Sequence, residues 1–391
     1  MIKTKFDLAI QRYIKSHTNN RIFDIYTIAR SNLVMGGLAL YIFPLSYILF
    51  HSMALTEKEE KILDSITVAS ENDPSKPEFP SDNPKFPATL TYKIEVPGFS
   101  NVWLKDESEN QTGTHKDRMA WEIVVTYREF LLSKKAGIID DLPSLSIISS
   151  GSAALAIQTQ LKKYGLPNLN VLMDSNTYSR VIEKLEEIGC SVFIEDLSNK
   201  KLDWKDILRL TNNEDGFDIT SNEAYDPTIR FYDWLSYEII NSDADYIFVP
   251  FGTGQLYENI MNVIKKELSY KANDPRFKGH IEILRKTSVI GATTTNPHSK
   301  ADKLYDTFLP FINYSTQWIK FYRYSGLTGE MSRVYSLEEK YLEEAIKIAD
   351  AQEINFEPSG IAGLGLLLQM KDVIPKDSKI LIVNTGKTKF S

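Results

Sequence analysis

The chain has 391 residues, of which 42% are hydrophobic and 25% charged, an ordinary balance for a globular protein large enough for two packed domains. Its net charge of −7 gives no electrostatic support to a nucleic-acid-binding role. The single cysteine, Cys190, excludes an internal disulfide and a cysteine-rich metal cluster, and the five histidines show no ligand spacing. A cytoplasmic protein without a metal is therefore expected, with Cys190 as a small buried residue.

The N-terminal segment, residues 1–52, differs from the rest. Most of the charged residues within 1–32 are basic. Residues 33–50 contain no charge, and this run is about as long as the shortest membrane span. A basic flank before an apolar run is typical of an anchor, whereas Pro44 within the run weakens a spanning helix. Three interpretations stay open: a membrane anchor, a buried helix or oligomer contact, and an extension upstream of a start at Met53.

The following elements are predicted from periodicity and from turn residues in the first half of the chain: a helix over 56–66, a loop over 71–87, strands over 88–94 and 102–104, a helix to about 136, a strand over 145–148, a helix over 155–164, a strand over 171–173, a helix over 177–188 and a strand over 191–194. Thr56 and Glu59 have the spacing of a capping box. The alternation of strand and helix predicts parallel βαβ units.

The second half continues this alternation. The predicted elements are a polar surface helix and loop over 196–218, helices over 227–240 and 257–268, strands beginning at 246 and 380, a strand over 288–292, and helices over 337–351 and 361–370. Residues 300–335 show no clear period. The apolar strand at 246 ends in the turn Gly252-Thr253-Gly254, and such turns can cradle phosphate through backbone N–H groups. An ordinary tight turn is the alternative.

The polar stretch before the helix that ends near 136 contains Lys116. Thr112, Gly113 and Thr114 suit a helix N-terminus, where free N–H groups need oxygen partners. A lysine sits badly at the positive end of a helix, and the same field favours its neutral, nucleophilic form. Lys116 is therefore either a nucleophile or an exposed lysine beside a turn.

Residues 105–118 read Lys-Asp-Glu-Ser-Glu-Asn-Gln-Thr-Gly-Thr-His-Lys-Asp-Arg. This stretch resembles the lysine motif of fold-type II pyridoxal-phosphate (PLP) enzymes, most closely the threonine synthase form K-x-E-x-x-N-P-T-G-S-F-K-D-R. Gln111, Thr114 and His115 replace its proline, serine and phenylalanine. On this resemblance Lys116 is the catalytic Schiff-base lysine.

Three further segments resemble motifs of the same superfamily. Residues 149–152 are similar to its S-[ST]-G-N loop, which implies that Ser149, Ser150 and Gly151 grip the substrate carboxylate and that Ser152, in place of the asparagine, faces the cofactor 3′-oxygen. Residues 249–256 are similar to the loop V-P-x-G-x-G-G-N, and residues 385–389 to T-G-x-G-x-K. The implied cofactor-binding residues are Gly252, Thr253, Gly254 and Gln255 at the phosphate and Thr385 at the ring nitrogen.

The resemblance spans about residues 85–391 and implies an α/β fold of two doubly wound, mostly parallel-sheet domains with PLP in the cleft between them. Residues 53–225 would carry the lysine and residues 226–391 the phosphate loop. The first function implied is a lyase that converts the amino acid O-phosphohomoserine and water to threonine and phosphate, as threonine synthase does. The alternatives are another β-elimination or β-replacement enzyme, of the serine/threonine dehydratase or cysteine synthase type, and a catalytically altered binding or regulatory protein. Dimers are common in the superfamily, so a homodimer is consistent with it.

Overall fold

The computed structural model describes residues 55–70, 88–198, 200, 202–220, 231–269, 281–305 and 328–389. The interpretations of residues 1–52 and the predicted loop over 71–87 lie outside these ranges. Within them, no helix is both long enough and apolar enough to cross a membrane.

Ten strands and ten α-helices are assigned within the described residues. The strands are β1 (Thr91–Val96), β2 (Phe99–Asp106), β3 (Leu145–Ile148), β4 (Asn170–Asp174), β5 (Ser191–Glu195), β6 (Phe217–Asp218), β7 (Tyr246–Pro250), β8 (Ser288–Thr293), β9 (Arg333–Ser336) and β10 (Ile380–Asn384). The helices are α1 (Glu57–Ser70), α2 (Lys116–Lys135), α3 (Ser152–Tyr164), α4 (Ser179–Glu187), α5 (Trp204–Leu210), α6 (Asp233–Ile240), α7 (Gln255–Ser269), α8 (Ile281–Leu284), α9 (Glu339–Ala351) and α10 (Ala362–Gln369).

The strands form two sheets, and the predicted α/β class is confirmed. One sheet has six strands in the order β1-β2-β10-β7-β8-β9, parallel except for the β1–β2 hairpin. The other has four parallel strands in the order β5-β4-β3-β6. The division of the chain at residue 225 stays a prediction; the pairing of β2 with β10 shows that the six-stranded sheet draws strands from both sides of it.

The six-stranded sheet is covered by a hydrophobic core on each face. Successive residues of a strand point to opposite faces, so alternate residues belong to different cores. On β7, Ile247 and Val249 join a core that extends to α2, α3, α6, α7 and the four-stranded sheet. Phe248, between them, belongs to the second core, with α9 and α10. Strands buried on both faces read as continuous apolar runs, which is why β7 and β10 stand out in the sequence.

Several predicted boundaries are wrong, for identifiable reasons. Helices α3 and α7 begin at Ser152 and Gln255, whereas the predictions placed their starts at 155 and 257. Their first hydrogen bonds use glycine carbonyls, Leu155 N–H to Gly151 O at 2.8 Å and Glu258 N–H to Gly254 O at 2.9 Å. The helices therefore start inside small-residue turns rather than at the first apolar side chain.

Two short strands were missed. β6 lies in the polar stretch predicted as surface helix and loop, and β9 in the stretch without a clear period. Both are edge strands, for which pairing matters more than hydrophobicity. By contrast, the capping box of α1 is confirmed: Thr56 N–H donates to Glu59 Oε2 at 2.8 Å and Glu59 N–H to Thr56 Oγ1 at 3.2 Å. Cys190 is buried directly before β5, and burial raises the pKa of its thiol to about 12.

Candidate active site

A cleft of about 200 Å³ lies where strands β3, β7 and β10 end, at the carboxyl edge of both sheets. Ligands of α/β proteins bind at this edge, because the loops that follow the strands converge there. Its lining unites segments far apart in the sequence: Thr114, His115, Lys116, Ser149, Ser150, Ser152, Gly252, Thr253, Gly254, Gln255, Lys303, Glu357, Ser359 and Thr385 are among the residues that form it. Of the predicted site residues, Gly151 alone is not in this lining, although both its neighbours are.

Lys116 is the first residue of α2, as the lysine motif predicts. Its Nζ lies 3.2 Å from the hydroxyl of Tyr232, a residue just before α6 that is almost fully buried. The backbone N–H of Lys116 donates to Thr114 Oγ1 at 3.2 Å. The amine is thus held at the wall of the cleft beside a tyrosine that sequence reasoning did not single out.

The lysine loop is paired with the C-terminal segment after β10. The N–H groups of Lys387 and Lys389 donate to Gly113 O and Thr112 O at 2.8 and 3.0 Å, and His115 N–H donates to Thr385 O at 3.1 Å. These bonds surround an antiparallel bridge between Thr114 and Gly386, which lies beyond the end of the parallel β2–β10 pairing. They bring Thr385 next to the lysine loop although 269 positions separate Thr385 from Lys116 (385 − 116).

His115 borders the cleft, and its ring lies 5.3 Å from that of Tyr232, centroid to centroid. The protein packed around the imidazole disfavours its cation, and the charge of Lys116 adds to this, so that the pKa of His115 is lowered to about 3. His115 is consequently neutral near pH 7. Its Nδ1 lies 3.3 Å from Thr385 O.

A buried ion cluster, Lys105, Glu107, Arg118 and Glu238, lies beneath the lysine loop. Arg118 donates to both carboxylate oxygens of Glu107 at 3.1 Å and to those of Glu238 at 2.9 and 3.2 Å. Lys105 donates to Glu238 and to Thr89 O. Burial opposes the ionisation of Glu107, but Arg118 and Lys105 hold its pKa below the usual range. The cluster connects β2, the start of α2 and α6. Three of its members, Lys105, Glu107 and Arg118, belong to the lysine motif, but the sequence did not predict that they form an ion cluster.

The serine loop, residues 149–152, is tied from two sides. Ser149 Oγ accepts hydrogen bonds from the N–H groups of Gly151 and Ala154 at 3.0 and 3.3 Å, so it caps the start of α3. Ser152 Oγ lies 2.6 Å from Thr388 Oγ1 and 3.2 Å from Lys303 Nζ. The loop therefore presents the N-terminal end of α3 to the cleft, where an anion is favoured.

Lys303 is a second amine at the cleft, from the stretch whose sequence shows no period. Its Nζ forms an ion pair with Glu357 Oε2 at 2.5 Å and reaches Ser152 and, at 3.4 Å, Thr388 Oγ1. One ammonium thus joins three separate segments. Lys303 is the middle residue of a single 3-10 turn, Asp302–Leu304, in a stretch without a sequence period, which is why it was not predicted.

The glycine turn before α7 is closely packed at its two glycines, Gly252 and Gly254. A Cβ on Gly252 would lie 2.8 Å from Lys303 O, and one on Gly254, whose φ is +83°, would lie 2.7 Å from the Phe251 ring. Gln255 then begins α7, a helix of 15 residues, so its first N–H groups lie along the cleft.

The family model for pyridoxal-phosphate dependent enzymes matches residues 88–386. The chain belongs to this family. Its cofactor is accordingly PLP, and the lining of the cleft offers groups that suit it: the amine of Lys116, the N-terminal end of α7, which favours an anion, and the hydroxyl of Thr385.

Solved structures of PLP-dependent enzymes share the fold. O-ureido-L-serine synthase is 15% identical, with 86% of this chain and 92% of that one covered and a TM-score of 0.55. The O-acetylserine dependent cystathionine β-synthase from Helicobacter pylori is 13% identical, with 86% and 96% covered and a TM-score of 0.55. A PLP-dependent aspartate racemase is 13% identical, with 86% and 97% covered and a TM-score of 0.54. Comparison with curated protein sequences gives no match. At these identities the likeness establishes the fold.

Proposed function

We propose that this PLP-dependent enzyme carries out elimination or replacement on the side chain of an amino acid, with Lys116 as the residue that holds the cofactor. The observation that supports this most is the convergence of Lys116, the serine loop, the glycine turn and Thr385 on one cleft. Among the fold relatives, the synthases that are named for O-substituted serine compounds are consistent with this chemistry.

The roles follow from the chemistry of each group. PLP, when bound, withdraws electrons from the α-carbon of the substrate. The Lys116 amine, once free of the cofactor, takes the proton from that carbon. The N-terminal end of α3, at Ser150 to Ser152, receives the substrate carboxylate. Thr385 offers a neutral hydroxyl to the ring nitrogen, which leaves that nitrogen unprotonated and suits elimination and replacement better than transamination.

For the substrate, we propose O-phosphohomoserine, converted with water to threonine and phosphate. The form of the lysine motif supports this choice. Lys303 adds to it, because its ammonium lines the cleft and offers a cation to a phosphate ester. Elimination from serine or threonine, and replacement on an O-acylated serine, are the other reactions that the same residues can support.

The cofactor-binding part of the proposal is tested on the full chain, wild type beside Lys116→Ala. PLP should give wild type a visible absorption band, and borohydride reduction should leave the pyridoxyl mass on the peptide that contains Lys116. Lys300→Ala, which removes an exposed lysine, is the control and should keep both signals. A wild type without band or adduct after incubation with PLP would contradict the role of Lys116 and favour a binding or regulatory protein.

The substrate is tested next, by incubating the PLP-loaded enzyme with O-phosphohomoserine and measuring threonine and released phosphate. The same preparation is given serine, threonine and O-acetylserine with a thiol. Release of 2-oxo acids or formation of a thioether without threonine would replace the threonine synthase-like proposal by a dehydratase or a synthase.

A further inference from the structure

Tyr232 makes a contact that the proposed roles do not use. It is 1% exposed, and its hydroxyl lies 3.2 Å from Lys116 Nζ. The amine also lies 5.8 Å from the centroid of the Tyr232 ring. The hydroxyl also lies 3.7 Å from Met119 Sδ, and a thioether is a weak acceptor.

If Tyr232 served only to pack the core, its ring would suffice and its hydroxyl would not be needed. A buried tyrosine hydroxyl needs a hydrogen-bond partner, and here the strong partner is the lysine amine. Burial and the nearby charge of Glu107 raise the pKa of Tyr232 above its ordinary range, so the hydroxyl keeps its proton at all pH values of interest. A protonated hydroxyl can accept from an ammonium and donate to a neutral amine.

We propose that Tyr232 is a positioning residue for Lys116: its hydroxyl holds the amine at the wall of the cleft in both of the amine's protonation states. The inference rests on the proposed role of Lys116. It assigns Tyr232 no contact with the substrate. Its effect is on how fast and how firmly Lys116 engages an aldehyde, since a lysine side chain has many rotamers and the hydrogen bond selects among them.

The test compares Tyr232→Phe with Tyr127→Phe. Both substitutions remove one buried hydroxyl. Tyr127, on α2, is fully buried and donates a hydrogen bond of 2.8 Å to Pro143 O. It is not among the residues that line the cleft. Tyr232→Phe should slow the covalent capture of PLP at Lys116 about tenfold, the effect of one hydrogen bond to a charged group. Tyr127→Phe should leave the rate of PLP capture at the wild-type value, although it should lower the thermal stability about as much as Tyr232→Phe does.

A second readout needs no cofactor. The full-length variants are treated with trinitrobenzenesulfonate, and modification of Lys116 is followed against pH by peptide mass spectrometry. Among the residues that the structure describes, the ionisable groups that act on Lys116, Tyr232 or their neighbour His115 include Glu107 and Lys303, and the substitution changes none of them. Tyr232→Phe should shift the pH profile of Lys116 modification, and Tyr127→Phe should not.

The outcomes separate the two proposals. If wild type captures no PLP at Lys116, the proposed function fails, and the modification profile still decides whether Tyr232 controls the amine. If wild type captures PLP and the two phenylalanine variants agree in both capture rate and modification profile, Tyr232 is a packing residue and the inference is overturned. Circular dichroism of each variant establishes that it is folded.

Discussion

At the scale of single residues, two glycines close the lysine loop against the C-terminal segment. Gly113 has φ +88° and Gly386 has φ +94°. A Cβ on Gly113 would lie 2.1 Å from Lys387 O, and one on Gly386 would lie 2.1 Å from Gly113 O. The backbones approach so closely that side chains are excluded, and this contact sets Lys116 beside Thr385.

Gly113→Ala should therefore destabilise the protein and weaken PLP capture. The matched control is Gly98→Ala, in the β1–β2 turn, where φ is +90° but nothing lies within 4 Å of the added Cβ. Positive φ costs about 1 kcal/mol in both variants, and the clash adds ~1–3 kcal/mol in Gly113→Ala alone. Urea unfolding of the two variants measures the difference; equal losses would show that the close approach relaxes without cost.

His115 should make stability fall in acid. Its pKa is about 3 in the folded chain against an ordinary value of 6.5. Below about pH 6.5 the unfolded chain takes up a proton that the folded chain does not, so the unfolding free energy drops by up to ~1.4 kcal/mol per pH unit until about pH 3.

His115→Phe removes this titration, so its stability relative to wild type should rise steadily as the pH falls from 6.5. Unfolding free energies of both proteins between pH 7 and pH 4 check this. His298→Ala, at an exposed position, serves as the control. A constant difference between His115→Phe and wild type across this range would mean that the pKa of the ring is the same in the folded and the unfolded chain.

At the scale of the elements, charged side chains join segments that no strand pairing connects. The ion cluster beneath the lysine loop holds the start of α2 between β2 and α6. Glu107→Gln leaves Arg118 and Lys105 without half of their buried countercharge, and the loss should be about 3–5 kcal/mol. Glu343→Gln breaks the solvent-screened Lys300–Glu343 pair on the surface and should leave the unfolding free energy almost unchanged. Similar midpoints in a denaturant titration would show that the cluster does not stabilise the fold.

Lys303 links the serine loop to Glu357 and Thr388. Lys303→Met keeps most of the apolar stem and removes the ammonium, so the first turn of α3 should exchange its amide hydrogens faster. Lys300→Met is the neighbouring control, since that lysine pairs on the surface. Hydrogen-exchange mass spectrometry of peptides covering 149–155 gives the readout; unchanged exchange in Lys303→Met would show that the loop is held by its own backbone.

At the scale of the whole molecule, the cleft depends on both sheets. Its lining comes from the ends of β3 in the four-stranded sheet and of β7 and β10 in the six-stranded sheet. A ligand that contacts both sheets should therefore stabilise the whole folded chain.

PLP at about 100 times its dissociation constant should raise the unfolding free energy by ~2.7 kcal/mol. Differential scanning fluorimetry of wild type with and without PLP measures this as a rise in Tm, with Lys116→Ala as the control that loses most of it. An equal rise in both proteins would place the stabilising contact elsewhere than the lysine. The homodimer stays a prediction, which sedimentation of the full chain can check.

The sequence by itself determined the α/β class, the positions of the central strands and the family, because strands buried on both faces form continuous apolar runs and the lysine motif has a specific order. It also placed Lys116, the serine loop, the glycine turn and Thr385 at element ends. It did not determine which strands pair, so the assignment of β1 and β2 to the six-stranded sheet came from the structure.

Only the tertiary structure decided the contacts of the cleft. Tyr232 and Lys303 acquire their places through folding: the hydroxyl reaches Lys116 across 116 positions (232 − 116), and the ammonium reaches Ser152 across 151 (303 − 152). Tyr232 lies in the predicted helix over 227–240, where its pattern indicates a core residue, and Lys303 lies in a stretch without a clear period, where a lysine is interpreted as a surface residue. Long-range contacts of single side chains depend on how the sheets pack, and no local sequence pattern predicts this packing.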